Sequence, residues 1–145
     1  MDERLSRAIV AGSLADVRLF VRSGADADAR IDNGMTALEL AVEHLQLDIV
    51  RYLLDVGADA NGRDHYGQTP LHWAVDIECE DARYREDMEG VAYAPRATVT
   101  PILIEYGADP SIAANDGWTP LHWARVRHHD AAVALFERDS GELRK

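Results

Sequence analysis

The sequence contains one lysine, one cysteine and no apolar run long enough for a membrane-spanning helix. Lys145 is that lysine, and the 14 arginines are scattered among 26 acidic residues, so the formal net charge is −11. A protein that binds phosphate backbones needs Lys and Arg in excess on one face, so this balance argues against a nucleic-acid partner. It favours association with a basic one. A membrane helix needs about 20 apolar residues, so we expect no membrane partner.

Cysteine chemistry is equally restricted. Cys79 is alone, so no internal disulfide can form, and the N-terminus does not read as an export signal. We therefore expect a cytoplasmic location. Glu78, Glu80 and Asp81 surround Cys79 and would raise the pKa of its thiol, which is unfavourable for a nucleophile. The sequence also has no Gly-rich phosphate loop and no Gly-x-Ser-x-Gly or His-Glu-x-x-His motif, and we do not expect an enzyme.

Two short motifs recur along the chain at the same offsets. Gly-Ala-Asp begins at Gly24, Gly57 and Gly107. A second motif begins at Gly34, Gly67 and Gly117, and its last two copies read Gly-x-Thr-Pro-Leu-His-Trp-Ala. In both motifs the second copy follows the first by 33 residues, and the third follows the second by 50. Because two independent motifs share these offsets, the chain is built from internal repeats.

A 33-residue period with a Thr-Pro-Leu-His motif resembles the ankyrin repeat family. The resemblance implies an all-α solenoid of helix-turn-helix units, forming one domain over residues 1–145. We divide the chain into four units, at about 1–30, 31–63, 64–113 and 114–145. The third unit is 17 residues too long, and alignment places a long insertion at about 78–96, between its two helices.

The two end units have the character of caps. The first lacks the Thr-Pro-Leu-His stretch, and the fourth ends in polar residues at 137–140, as a wettable terminal repeat requires. We therefore expect a small, stand-alone domain rather than part of a longer array. The abundance of Ala, Asp and Arg beside one lysine is typical of a GC-rich bacterial genome.

Local patterns predict helices without the family. Apolar residues recur at helical spacing over 47–56, and Gly57 follows where a left-handed residue would end the helix. Thr69 and Thr119 each precede a proline, the pattern of an N-cap followed by proline at the first helical position. Each helix pair has one apolar face, which only a stacked neighbour can bury.

The insertion is open to two interpretations. A loop this long is usually functional or disordered. It is either a solvated extension, with the first helix prolonged through Arg85, or a flap that contacts a partner through Tyr84 and Tyr93. Pro101 would break the second helix if that helix began on the usual register. We therefore expect a late start, capped by Thr98 or Thr100.

The six histidines do not suggest a metal site or a cofactor. His72 and His122 lie in the Thr-Pro-Leu-His motif, and the resemblance implies that they hydrogen-bond backbone between repeats. His128 and His129 are adjacent in the turn before the last helix, an ordinary place for polar residues. Zinc would require more ligands at a fitting spacing.

The resemblance places partner contacts in the turn around each motif glycine and at the end of each first helix. These positions hold Asn33, Met35, Glu43, His44, Tyr66, Gln68, Asp76, Ile77, Trp118, Val126 and Arg127. We expect the apolar ones among them to be exposed, with Tyr66, Ile77 and Trp118 forming one concave patch. We expect Trp73 and Trp123 to be partly buried between repeats.

The leading hypothesis is a protein-interaction module that binds a partner protein through its concave face and loop tips and is monomeric alone. One alternative is a dedicated inhibitor, of the immunity or antitoxin type, that blocks a basic enzyme; small size and a net charge of −11 fit it. An enzyme with its site in the insertion is the alternative from another class.

Overall fold

The computed structural model describes residues 2–31 and 34–143, with side chains described as far as residue 138. Within these ranges the chain forms eight helices, which follow one another in pairs. Their bounds are α1 (Glu3–Ala11), α2 (Leu14–Arg22), α3 (Ala37–Glu43), α4 (Leu47–Asp55), α5 (Pro70–Glu89), α6 (Thr100–Glu105), α7 (Pro120–Val126) and α8 (Asp130–Leu143). Each first helix packs on the second helix of its own pair, and α1, α3, α5 and α7 pack side by side. The predicted all-α solenoid of four helix pairs is confirmed.

The core runs along the whole array. Five large side chains from successive parts of the chain are each at most 1% exposed: Leu5, Leu38, Leu71, Leu103 and Phe136. They belong to one connected cluster of buried residues. Burying a side chain of this size stabilises the fold by roughly 1.5–3 kcal/mol, so this shared core stabilises all four pairs together.

The first helices of the last three pairs begin with the predicted caps. Thr36, Thr69 and Thr119 occupy the N-cap positions, and each forms a capping box with the residue three positions later. Pro70 and Pro120 follow at the first helical position, where a missing N–H leaves no intrahelical bond unmade. The Thr-Pro-Leu-His motif therefore caps and begins the first helix of its repeat.

One position at the end of the first helices explains where the insertion begins. The offsets of the repeats align Gly12, Leu45, Glu78 and His128. Gly12, Leu45 and His128 are all left-handed, with φ of 73°, 50° and 56°, and each follows the end of its helix. Glu78 is helical instead. The chain fails to turn at Glu78, so α5 continues where its counterparts stop.

The insertion consists of an added helical segment and a return segment. α5 is 20 residues long and ends at Gly90, which takes the left-handed conformation with φ 69°. It therefore extends past Arg85, the limit that we considered, to Glu89. Residues 91–99 lie outside the helices and lead back to α6.

The late start of α6 is confirmed, but the expected cap is wrong. α6 begins at Thr100 with Pro101 in its first turn, and no side chain of its N-cap residue caps it. Instead, the N–H groups of residues 98, 99 and 100 donate to Oε1 of Glu78, with N–O distances of 2.8, 2.9 and 3.0 Å. A carboxylate accepts three converging N–H groups at the positive end of a helix better than a hydroxyl does, which explains the replacement.

The second oxygen of Glu78 joins the last repeat. Oε2 accepts Thr100 Oγ1–H at 2.8 Å and His129 Nε2–H at 2.6 Å. Because Nδ1 of His129 accepts the N–H of Ala132 at 3.3 Å, the ring proton resides on Nε2. Glu78 is 2% exposed and His129 is 0% exposed. The interpretation of His129 as an ordinary turn residue is therefore wrong, since it faces inward to meet a buried carboxylate.

Replacing Glu78 should destabilise the fold strongly. Glu78→Gln keeps the size of the side chain but replaces one acceptor oxygen by an NH2 donor. Either the N–H groups of residues 98–100 or the Thr100 hydroxyl and the His129 ring then lose their acceptor. Hydrogen bonds to charged groups contribute about 1.5–3 kcal/mol each, and we expect unfolding in urea to show a loss of at least about 2 kcal/mol. The control is Glu80→Gln at an exposed site on the same helix, which should stay within about 0.5 kcal/mol. Equal stability of the two variants would show that the network contributes little.

Glu39 is a second buried carboxyl group, and its environment is unfavourable for charge. It occupies the position of His72 and His122 in the capping box and is 0% exposed. Thr36 N–H donates to its Oε2 at 2.7 Å, while Oε1 has no hydrogen-bond partner in the part of the chain that the structure describes. Burial raises the pKa of Glu39 to about 7, and the nearby carboxylate of Asp64 adds to the rise. The neutral acid is therefore the form that this site favours.

This pKa predicts a pH dependence of stability. The folded pKa lies above the ordinary value of 4.5, so the native state holds the proton more tightly than the unfolded chain. The contribution of Glu39 is fully present below about pH 4.5 and is lost as the pH rises through about 7. Glu39→Gln mimics the neutral acid, so urea unfolding at a series of pH values should show a flatter profile. At pH 8 the variant should be more stable than wild type, by on the order of 3 kcal/mol. Glu43→Gln, at the partly exposed end of α3, is the control; an unchanged profile for Glu39→Gln would contradict the assignment.

Candidate functional site

The turns that precede α5 and α7 project two aromatic side chains from the array. Oδ1 of Asp64 accepts the N–H groups of Tyr66 and Gln68 at 2.8 and 2.9 Å, and Oδ1 of Asp116 accepts the N–H of Trp118 at 2.9 Å. An aspartate that bonds the backbone two residues on fixes the shape of a turn. Tyr66 and Trp118 are therefore presented on ordered turn tips.

His72 ties the Trp118 tip to the neighbouring repeat. Its ring is buried, and Nδ1 accepts the N–H of Thr69 at 3.0 Å, so Nε2 carries the proton and donates to the Trp118 carbonyl at 2.8 Å. Burial lowers the pKa of His72, in agreement with a neutral ring. The structure thus gives His72 the backbone contact between repeats that the resemblance implies. His122, in the same motif position of the last described repeat, is exposed.

Further hydrogen bonds join the tips to one another. The N–H of Asn115 donates to the Tyr66 carbonyl at 2.9 Å, and its side-chain amide donates to the His65 carbonyl at 3.1 Å. Arg63 donates to the Ala113 carbonyl at 2.8 Å. The chain's own hydrogen bonds thus hold the neighbouring tips in one arrangement, which would reduce the ordering cost of any binding there.

The close approach of the tips depends on a glycine. Gly67 has φ 73°, and a Cβ at this position would lie 2.8 Å from the backbone nitrogen of Asn115. A larger residue would force the two tips apart. The glycine of the repeated motif therefore sets the spacing between the Tyr66 and Trp118 turns.

A small cavity lies beside the Trp118 tip. Its volume is about 230 Å³, and it is lined by Asp116, Trp118, Trp123, Val126 and Arg127. Trp118 is 43% exposed and Val126 is 61% exposed. The structure therefore brings three of the predicted contact residues, Trp118, Val126 and Arg127, to one cavity. Tyr66, 65% exposed, stands on the adjacent tip.

Two other predicted contact residues, Ile77 and Asp76, already make contacts within the chain. Ile77 is half-buried and packs against the core, so it offers less surface than we expected. Asp76 forms an ion pair with Arg127, whose guanidinium also lies 5.4 Å from the ring centroid of Trp123. These contacts hold Arg127 at the edge of the cavity.

The expectation for Met35 is wrong. Met35 is 2% exposed and belongs to the core, although it holds the same repeat position as Gln68 and Trp118. A bridge between Arg30 and Thr36, together with the Ile31 N–H bond to the Met35 carbonyl, folds this stretch back on itself. An apolar side chain next to the core gains more by burial than by exposure.

The remaining predicted residues of the second repeat lie at the end of α3 or outside the described residues. Glu43 is half-buried and His44 is exposed, with 3.9 Å between Oε2 of Glu43 and Nε2 of His44. Both side chains are therefore at least partly accessible at the end of α3. Asn33 falls in the stretch that the structure does not describe.

The two tyrosines of the insertion differ in their surroundings. Tyr84 lies on α5 and is 65% exposed. Tyr93 is half-buried; its hydroxyl donates to Glu89, and the Arg85 guanidinium lies 4.8 Å from its ring centroid. Tyr93 is thus held against α5 by the chain itself, and Tyr84 is the tyrosine that a partner could reach.

The sequence did not point to a larger cavity between the insertion and the last repeat. It has a volume of about 540 Å³ and is lined by Cys79, Glu80, Ala82, Arg83, Tyr93, Ala94, Pro95, Arg127 and His128. It arises because α5 extends beyond α7, and the excess length of the third repeat was the available signal. Cys79 is poorly suited to nucleophilic chemistry here. Burial is the main cause that raises the pKa of its thiol to about 11, and the neighbouring carboxylates that we expected to matter contribute less.

Among the residues that the structure describes, no three or more His, Cys, Asp or Glu side chains are grouped so that they could bind a metal ion. Likewise, no helix in the described ranges combines the length and apolar character that crossing a membrane demands.

Comparison with known proteins gives the following matches. A family model described as Ankyrin repeats (3 copies) matches residues 5–84. A second model, described as Ankyrin repeat, matches residues 116–140. A search of curated proteins found no significant match. The two matched ranges flank the return segment of the insertion.

The two tryptophans next to the tips should differ in their effect on stability. Trp73 is half-buried against the core and donates from Nε1 to Oδ2 of Asp64 at 3.1 Å. Trp73→Ala removes this bond and leaves a cavity, so we expect a loss of about 2 kcal/mol or more. Trp118→Ala changes an exposed side chain and should cost about 0.5 kcal/mol. Thermal unfolding of both variants checks the difference, and a larger loss for Trp118→Ala would contradict its assignment as a surface residue.

Proposed function

The chain belongs to the ankyrin repeat family, whose members are generally protein-interaction modules, and we propose that it binds a partner protein through its concave face. By the concave face we mean the turn tips together with the accessible sides of α3, α5 and α7. The observation that carries this proposal is the cavity beside Trp118, an exposed aromatic on a turn that Asp116 and His72 hold in place. Exposed aromatics at a well-ordered, partly apolar cavity are the usual anchors of protein interfaces.

The charge of the chain supports a basic partner. The net charge is −11, and it is the charge of the whole chain that matters here, because the cavity itself is lined by one acidic and one basic residue, Asp116 and Arg127. Such a field accelerates the capture of a basic protein and repels acidic competitors. The same charge opposes self-association, which supports a chain that is monomeric alone. The free, buried Cys79 supports a reducing compartment such as the cytoplasm.

A second candidate function is the inhibition of a basic enzyme. A small, strongly acidic module whose binding surface is rigid before contact could block an active site simply by covering it. An enzyme with its site in the insertion has less support, because the thiol of Cys79 is held in its protonated form and Tyr93 is engaged within the chain.

Binding through the concave face can be tested with one variant. The wild-type chain captures its partner from native cell extract, and the purified partner is then titrated with wild type and with Trp118→Ala. A buried aromatic anchor contributes about 2 kcal/mol, so we expect the Kd to rise roughly 30-fold. Val56→Ala, which truncates an exposed apolar residue after α4, serves as the control and should bind as wild type does.

Two further measurements separate the finer claims. If charge steers the partner, the association rate should fall as salt shortens the Debye length from about 10 Å at 0.1 M to about 3 Å at 1 M. An inhibitor should abolish the activity of an enzymatic partner at one equivalent, whereas a scaffold should leave it unchanged. Equal affinity of wild type and Trp118→Ala would exclude the cavity as the contact site.

A further inference from the structure

We infer that the inserted half of α5 extends the binding surface and receives a basic, amphipathic helix of the partner. This inference rests on the proposed function and names the kind of partner segment that the site accepts. Its basis is a row of apolar side chains, Trp73, Ile77, Tyr84 and Met88, which we call the apolar stripe.

The stripe lies on one side of α5. Successive helical residues are rotated by about 100°, so residues separated by four or seven positions share a face. The four stripe residues are separated by four, seven and four positions. With a rise of 1.5 Å per residue, they cover roughly 22 Å along the helix. The stripe therefore begins on the concave face, at Trp73, and runs along the full added length of α5.

The opposite side of α5 faces the core, so the stripe lies on the outer side of the helix; its first two residues, Trp73 and Ile77, are half-buried at the edge of the core, and its last two are exposed. Val75, Glu78 and Ala82 are each at most 2% exposed. In contrast, Tyr84 is 65% exposed and Met88 is 68% exposed. The neighbouring helices cannot cover these residues, because α3 and α7 have seven residues each and α5 has 20. Two large apolar side chains, one turn apart, thus remain in water.

The shape of the stripe favours a helix as its occupant. A straight apolar row on a helix packs against a similar row on a second helix, and an amphipathic helix presents such a row at i, i+4 and i+7. Met88 adapts its flexible thioether to the partner surface. A partner helix of about 15 residues would match the length of the stripe.

The charges around the stripe favour a basic occupant. α5 carries seven carboxylates and two arginines. By helical position Asp76, Glu80 and Asp87 flank one side of the stripe and Asp81 the other. Within the chain Asp76 is paired with Arg127, Glu80 with Arg83 and Asp81 with Arg85, so the four carboxylates keep an excess of one negative charge. Lysines and arginines beside the apolar row of a partner helix would meet that excess and compete for these partly exposed pairs, which contribute little to stability. A second copy of this chain would instead oppose like charges across the contact, so it is not the occupant.

The experiment uses a defined probe. A fluorescent peptide of about 18 residues, with leucines at one helical face and lysines elsewhere, is titrated with the full chain. A matched peptide carries glutamate in place of every lysine. We expect the lysine peptide to bind wild type and the double variant Tyr84→Ala/Met88→Ala to bind it at least about tenfold more weakly. Leu19→Ala/Val56→Ala removes two exposed apolar side chains elsewhere and should leave binding unchanged.

The possible outcomes decide between the alternatives. Equal binding by the stripe variant and wild type, or stronger binding of the glutamate peptide, would overturn the inference. Sedimentation that shows a wild-type dimer and a monomeric stripe variant would do so as well, because the occupant would then be a second copy. A captured partner that loses affinity with Trp118→Ala but not with the stripe variant overturns only this inference. The reverse pattern supports the stripe and removes the Trp118 cavity from the proposed function.

Discussion

The architecture of the C-terminal half depends on the buried carboxylate of Glu78. It joins three segments that the sequence separates: α5, which carries it, the start of α6 and the turn before α8. A buried charge is costly unless its lone pairs are fully used, and this carboxylate accepts from residues 98–100 and from His129. The same residue stands where the other repeats turn left-handed, so the carboxylate that fastens the returning chain lies at the point where α5 continues instead of ending.

This interaction also connects the fold to the proposed binding surface. Two polar contacts from α5 join repeats three and four: the buried contact of Glu78 with His129, and the part-buried contact of His72 with the Trp118 carbonyl. The first fixes the base of α8, and the second fixes the tip that carries the candidate anchor. His129 and the Trp118 carbonyl both belong to the last repeat, so the position of Trp118 depends on how α5 packs against α7.

Repeat spacing was sufficient to predict the four helix pairs, because capping threonines, prolines and apolar stripes are local signals that share one period. The site was less predictable. Met35, Gln68 and Trp118 share one motif position, yet their burial differs because it depends on what surrounds each turn. Glu78 and His129 are 51 residues apart, and the insertion lies between them. The 33-residue offset of the repeats therefore could not be used to predict that they meet. A signal did exist: Glu78 interrupts the core-facing residues of α5 between Val75 and Ala82, and a carboxylate at such a position requires partners.

The energetic role of the insertion differs from that of the repeats. Closing a longer loop costs little extra entropy, and the end of the return segment is secured by hydrogen bonds to Glu78 and by the burial of Val99 in the common core. The added part of α5 therefore keeps its apolar side chains, Tyr84 and Met88, out of the packing that stabilises the array. Exposed apolar area on a monomer gives no folding free energy and is retained at binding sites. The core side of α5 therefore carries contacts that stabilise the array, and its outer side carries the surface proposed for binding.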